Sequence, residues 1–153
     1  MNHFKSITFT QETIIREAKK EDSKTLSSLI EQVGYIIPPI QAAEKIKAFA
    51  QINKDKIWVA QTESGIVGVL ALNIFNLLHQ AGIFARIDLL VVDAQYRKRG
   101  IATALVITAK VYTKEIGCTR IILTSSNHCT AAHAFYKKMK YLAPNVTYFT
   151  KDL

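Results

Sequence analysis

The passage from Ala85 to Ile116 constrains this chain most. Ala85–Val92 reads ARIDLLVV and ends in a run apolar on both faces, which suits a strand in the middle of a sheet. A turn follows, and the chain enters a helix through Arg97-Lys98-Arg99-Gly100-Ile101-Ala102. In that helix Ile101, Leu105, Thr108, Tyr112 and Ile116 fall on one stripe, and Gly117 suits its C-terminal end. A buried strand feeding an amphipathic helix needs a sheet around the strand and a sheet face under the helix.

The remaining segments supply them. Thr13–Ala18 is a short β-branched run that opens the sheet. Asp22 is placed to cap a helix in which Leu26, Leu29, Ile30 and Val33 recur at helical spacing, ending at Gly34 before Pro38-Pro39. A second helix from Gln41 to about Gln51 buries Ala42, Ile46, Phe49 and Ala50. Ile57–Thr62 and Ile66–Phe75 read as an antiparallel hairpin turning at Ser64-Gly65. Arg120–Thr124 is a short strand, Thr130–Met139 a short helix, and Tyr148–Asp152 a last edge strand that could pair across a homodimer. The order gives a mixed α/β sheet with helices on both faces, and no linker or repeat breaks residues 1–153, read as one domain.

Composition narrows the function classes. With 49% hydrophobic and 21% charged residues in 153, the chain is neither disordered nor low-complexity and can bury a full core. Ser64–Ala85 has no charged residue, but Asn73, Asn76, His79, Gln80 and glycines interrupt it, so it reads as a buried strand and loop, with no membrane span. Cys118 and Cys129 form no C-x-x-C pair and read as reduced thiols of a cytoplasmic protein; the N-terminus has no signal-peptide pattern. Twenty Lys and Arg against twelve Asp and Glu leave +8, so anions are the favoured partners.

A site for an anion is written at Arg97–Thr103. The first amides of a helix lack intrahelical partners and carry the positive end of its dipole. Gly100 leaves the backbone approachable, Ala102 adds little bulk, and three consecutive cations stand beside these amides. Together they suit phosphate; a solvated basic turn before an ordinary helix is the alternative. Neither G-x-x-x-x-G-K-[ST] nor G-x-G-x-x-G occurs, and His3, His79, His128 and His133 fall in no zinc-binding spacing.

R-x-x-G-x-A at Arg97–Ala102, after a strand reading L-x-V-V, resembles the pyrophosphate loop of the GNAT superfamily of acetyl-CoA-dependent N-acetyltransferases. The run Ala132-His-Ala-Phe-Tyr136-Lys-Lys-Met-Lys-Tyr141 resembles the second signature, A-x-x-F-Y-x-x-x-G-[FY], and the order of elements follows the family from about residue 14 to 153. Leu78-His79, Thr124-Ser125 and Ala132–Tyr136 are similar to the aminoalkylphosphonate N-acetyltransferase branch. The resemblance implies a mostly antiparallel sheet of six to seven strands, acetyl-CoA as donor, and direct transfer of acetyl to a primary amine, a small molecule in preference to nucleic acid.

Residue by residue, it implies that Leu90, Val91 and Val92 pair with the pantetheine arm through their backbone. Amides from Arg97, Lys98, Arg99, Gly100, Ile101, Ala102 and Thr103 would wrap the pyrophosphate. Tyr136 would protonate the leaving thiolate; a phenol of pKa about 10 remains a donor at neutral pH. Asp88 is the first candidate base, two positions before Leu90 and on the same face by the period of two, with water and an Arg86–Asp88 pair as rival readings. Tyr35, His79 and His133 are candidate substrate contacts, each with a packing role as the alternative. Two departures stand out. Cys129 occupies a position where the superfamily often has Asn, with Asn127 nearby to replace it, and Lys140 occupies that of the usual glycine. No metal is implied. A module that senses CoA or binds nucleic acid without catalysis is the rival function, and Tyr136 favours the enzyme. Glu12, Glu17, Glu31 and Glu44 are the acids able to offset the positive charge for a cationic acceptor.

Overall fold

The computed structural model describes residues 8–10, 13–52 and 54–153, so His3 and Glu12 lie outside the described residues. It divides into two compact units, Met1–Leu123 and Thr124–Leu153.

The larger unit holds a six-stranded sheet in sequence order: β1 (Thr8–Thr10), β2 (Thr13–Glu17), β3 (Lys56–Thr62), β4 (Gly65–Leu77), β5 (Gln80–Val92) and β6 (Cys118–Leu123). Neighbours are antiparallel except β5 and β6, which run parallel. That exception follows from the connection, because α3 (Ile101–Glu115) carries the chain back between them. Helices α1 (Ser23–Glu31) and α2 (Pro39–Gln51) intervene between β2 and β3. Among the described residues no helix is long and apolar enough to cross a membrane.

Strand periodicity separates the two faces. Val59, Val69 and Val91 form one buried cluster with Leu26 and Leu29 of α1 and Ile46 of α2. Gly68 turns to the opposite face, where a Cβ would stand 3.1 Å from Ile101 and 3.3 Å from Leu105, so α3 rests directly on β4. Tyr112 of α3 packs edge-on against Trp58 at 5.3 Å between ring centroids, and its hydroxyl donates to Lys54 O at 2.8 Å. Helices therefore cover both faces, α1 and α2 one of them and α3 the other.

Several sequence expectations need correction. Asp22 does not cap α1 with its side chain. It accepts the Arg16 fork at 2.8 and 3.0 Å and the Lys19 amide at 2.7 Å, because a charge-assisted bidentate pair outcompetes a single capping bond. Ala50 is exposed on α2, whereas Ala42 and Ile46 are buried and Phe49 half-buried. β5 starts at Gln80 and not Ala85, which makes the uncharged Ser64–Ala85 stretch a long hairpin with Leu78 and His79 at its turn. In the smaller unit, α4 (Thr130–Lys138) is the last regular element. Residues Tyr148–Asp152 form no strand, so no edge strand is present there for pairing across a dimer.

The period of two also breaks where it matters. Leu72 pairs with Ile87 but Ala71 pairs with Leu89, so Asp88 is the extra residue of a β-bulge. Arg86 pairs with Asn73, on the face of Ala71, and bonds Asp88 on that side. Leu90 pairs with Leu70 on the other face. Asp88 therefore shares its face with Leu89 and not, as simple alternation predicts, with Leu90.

Candidate functional site

The parallel pairing of β5 with β6 ends at Ile87 and Leu123, although β5 continues to Val92. From Asp88 onward, the backbone groups of β5 that point away from β4 face no strand among the described residues. Leu90, Val91 and Val92 lie on this unpaired stretch, and Val92 O already accepts Arg97 Nε at 3.2 Å.

The turn after Val92 is anchored on both sides. Asp93 N donates to Val67 O at 2.8 Å, and the Asp93 carboxylate accepts Gln95 N at 2.8 Å. Gln32, one residue beyond α1, donates from Nε2 to Asp93 Oδ2 at 2.9 Å and accepts Ala94 N on Oε1 at 3.0 Å. These bonds, the Gln32 amide first and the Gln95 amide second, hold the Asp93 carboxyl below its ordinary pKa.

Beyond this anchor the backbone opens. Lys98 has φ 62° and Gly100 has φ 81°, left-handed values that turn the chain twice before α3. A Cβ on Gly100 would meet nothing within 4 Å, so the glycine answers to conformation, and the space over it is free. Among the described residues the amides from Arg97 through Thr103 have no acceptor; the next, Ala104 N, finds Gly100 O at 2.9 Å. Arg99 lies over the Tyr96 ring at 4.9 Å and donates to Gln95 O at 3.2 Å. Free amides at a helix start, an approachable glycine and three cations fit a pyrophosphate, and the unpaired edge of β5 fits an amide-bearing arm.

Asp88 accepts Arg86 Nε on Oδ1 at 2.6 Å. Tyr35 stands 67% exposed in the loop between α1 and α2. His79 sits at the turn of the β4–β5 hairpin, the opposite end of β5 from the basic turn, with its ring 3.4 Å from Gln80 Nε2. The structure thus does not bring His79 together with Leu90–Val92 within the larger unit.

In the smaller unit, Tyr136 lies on α4 between two rings, Phe135 at 5.2 Å and Tyr141 at 5.5 Å. Burial, with a smaller contribution from Tyr141, pushes its phenol up to about 12. The helix closes in a Schellman motif: Tyr141 N donates to Tyr136 O at 2.9 Å and Lys140 N to Lys137 O at 3.0 Å. Lys140 holds the left-handed position at φ 67°, and the Tyr136–Tyr141 pair is the apolar contact such a motif carries. His133 is half-buried one turn before Tyr136, Asn127 is exposed in the preceding turn, and Cys129 precedes α4 without a side-chain cap bond.

Sequence reasoning passed over Gln32 and Arg120. A glutamine just past a helix end carries no signal that its amide bridges to residues sixty positions on. Arg120 reads as one more strand residue until the register of β5 and β6 is known.

Residues 23–141 match the profile of the Acetyltransferase (GNAT) family, and the chain belongs to that family. It is therefore an acetyltransferase whose donor is acetyl-CoA. Solved structures share the fold at low identity. A transcriptional regulator from Bacillus halodurans C-125 is 23% identical with TM-score 0.81, over 92% of this chain and 99% of that one. Aminoglycoside N-acetyltransferase AAC(6')-Iy, in complex with CoA, is 14% identical with TM-score 0.82, over 95% and 98%. Glucosamine-6-phosphate N-acetyltransferase from Arabidopsis thaliana is 18% identical with TM-score 0.80, over 92% and 99%.

Proposed function

We propose that the protein transfers acetyl directly from acetyl-CoA to the primary amine of a small molecule. The observation that carries this reading is the early end of the β5–β6 pairing, which leaves Asp88–Val92 open on one side and leads straight into the unpartnered amides of Arg97–Thr103. One stretch of backbone thereby offers hydrogen bonds to a pantetheine arm and then charge-matched donors to a pyrophosphate. Leu90, Val91 and Val92 supply the first set, Arg97 through Thr103 the second, and Asn127 takes the cofactor contact that Cys129 cannot make.

In the reaction, the amine nitrogen attacks the thioester carbonyl, the C–N bond forms, and the C–S bond breaks as the tetrahedral species collapses. The nitrogen's proton goes to Asp88 or to water, and the thiolate takes a proton from the Tyr136 hydroxyl. A phenol raised to about 12 is fully protonated at neutral pH and so is always loaded as a donor. Tyr35 and His133 are assigned to the acceptor. His79 joins them only if a second chain brings its hairpin turn to the site.

Thiol release from acetyl-CoA against a panel of amines tests this reading. Tyr136→Phe should lower kcat by roughly 10²-fold or more. CoA binding without turnover of any amine would convert the proposal into a CoA-responsive regulatory module, and absence of CoA binding would overturn the site itself.

A further inference from the structure

One face of the sheet carries a basic patch that none of these roles uses. Phe75 and Phe84 pair across β4 and β5 with ring centroids 5.9 Å apart. The Arg86 guanidinium lies over Phe75 at 5.8 Å, and that of Arg120 over Phe84 at 5.7 Å. Phe84 pairs with Arg120 and Arg86 with Ile122 between the parallel strands, so the two arginines are diagonal neighbours on one face. That is also the face of Asp88, one residue beyond the last β5–β6 pair.

The charges do not balance. Arg86 spends Nε on Asp88, while Arg120 donates to no acceptor among the described residues and has no carboxylate within ion-pair reach. Arg120 is exposed, and the Arg86 side chain is 51% exposed. Among the described residues Asp88 is the carboxylate within ion-pair reach of either aromatic-backed guanidinium, Asp55 being taken up by the Asn73 side chain and the Ile74 amide, so forked donors stay unused that suit a planar carboxylate or a phosphate. Asp88, with Oδ2 free of donors among the described residues, stands next to it as the partner for an ammonium.

We infer that Arg120 and Arg86 bind an anionic group on the acceptor, so that the acceptor is an amine that itself carries a carboxylate or a phosphate. The inference rests on the transferase reading and adds the substrate class. Arg120 is the specificity residue, since Arg86 is shared with Asp88.

The test compares ethylamine, β-alanine and 2-aminoethyl phosphate as acceptors for the wild-type protein and for Arg120→Gln and Arg120→Lys. The ratio of kcat/KM for an acidic acceptor to that for ethylamine should exceed one in the wild type. It should fall roughly 10- to 100-fold in Arg120→Gln, with partial recovery in Arg120→Lys. A preference for β-alanine assigns the patch to carboxylates, and one for 2-aminoethyl phosphate to phosphates. A wild-type ratio near one, or a ratio that Arg120→Gln leaves unaltered, overturns the inference while the transferase reading stands. Melting with saturating CoA, which fills the basic turn, separates the opposite case. If no amine is turned over, a rise in Tm with 2-aminoethyl phosphate or with β-alanine that Arg120→Gln abolishes keeps the anion site without the reaction. No rise overturns the site.

Discussion

Lys140 shows what a single residue concedes in this chain. A left-handed backbone costs a side-chain-bearing residue about 1–2 kcal/mol, and the Schellman bonds of Tyr141 and Lys140 hold it there at φ 67°. Lys140→Gly removes that strain but restores freedom to the unfolded chain, worth about 0.4–1 kcal/mol in the other direction. The net expectation is stabilisation of about 0–1.6 kcal/mol, read as a higher urea midpoint with an unchanged m-value. Activity should not improve, because the Tyr136–Tyr141 ring contact depends on the same turn in both proteins. The sequence shows the substitution at the family's glycine, but whether the backbone keeps a positive φ there is decided by the two hydrogen bonds. A lower midpoint would mean that the lysine side chain contributes something the strain does not outweigh.

At the scale of elements, patterning reveals existence and order better than edges and faces. Periodicity marks α3 and the apolar half of β5 because burial dictates their residues one by one. It misses the first turns of β5, where Gln80–Gly82 alternate with nothing buried, and it misreads the face of Asp88 because one inserted residue inverts all positions beyond it. The candidate cofactor turn is legible for a similar reason: the role proposed for it resides in backbone amides, and only the glycine and cations need sequence signatures. What anchors it was not legible. Gln32 reaches from the end of α1 to both Asp93 and Ala94, a pairing set by tertiary contact alone. Gln32→Ala should remove both bonds, costing about 1–2 kcal/mol of stability, and should loosen the turn that precedes the free amides. The expected result is a severalfold higher KM for acetyl-CoA with a smaller change in kcat. Equal loss in both parameters, or none, would show that the turn holds its shape without the anchor.

Across the whole molecule, the excess of positive charge makes the few well-placed carboxylates matter more than their number suggests. At +8 the chain already repels itself, and protonating any of its twelve acids adds to that repulsion. Asp22 is one acid with stability to lose. Burial by itself would raise its pKa, but the Arg16 fork, the Lys19 amide and the charge of Arg16 outweigh burial and hold it below the usual carboxylate value. A carboxyl whose folded pKa lies below its unfolded value contributes stability that is complete above the unfolded pKa, about 3.9. That stability drains away as pH falls through the folded pKa. The pair also ties β2 to the start of α1, so its loss releases an element that covers a sheet face. Acid unfolding of the wild-type protein should therefore steepen below about pH 4. Asp22→Asn should start about 2 kcal/mol less stable at pH 7, since it leaves Arg16 without its charged partner, and should lose less between pH 5 and pH 3. Thermal melts of both proteins across that range at fixed ionic strength test the point. Two parallel curves would place the acid sensitivity elsewhere, with Asp93, whose carboxyl is likewise held low, as the next residue to replace.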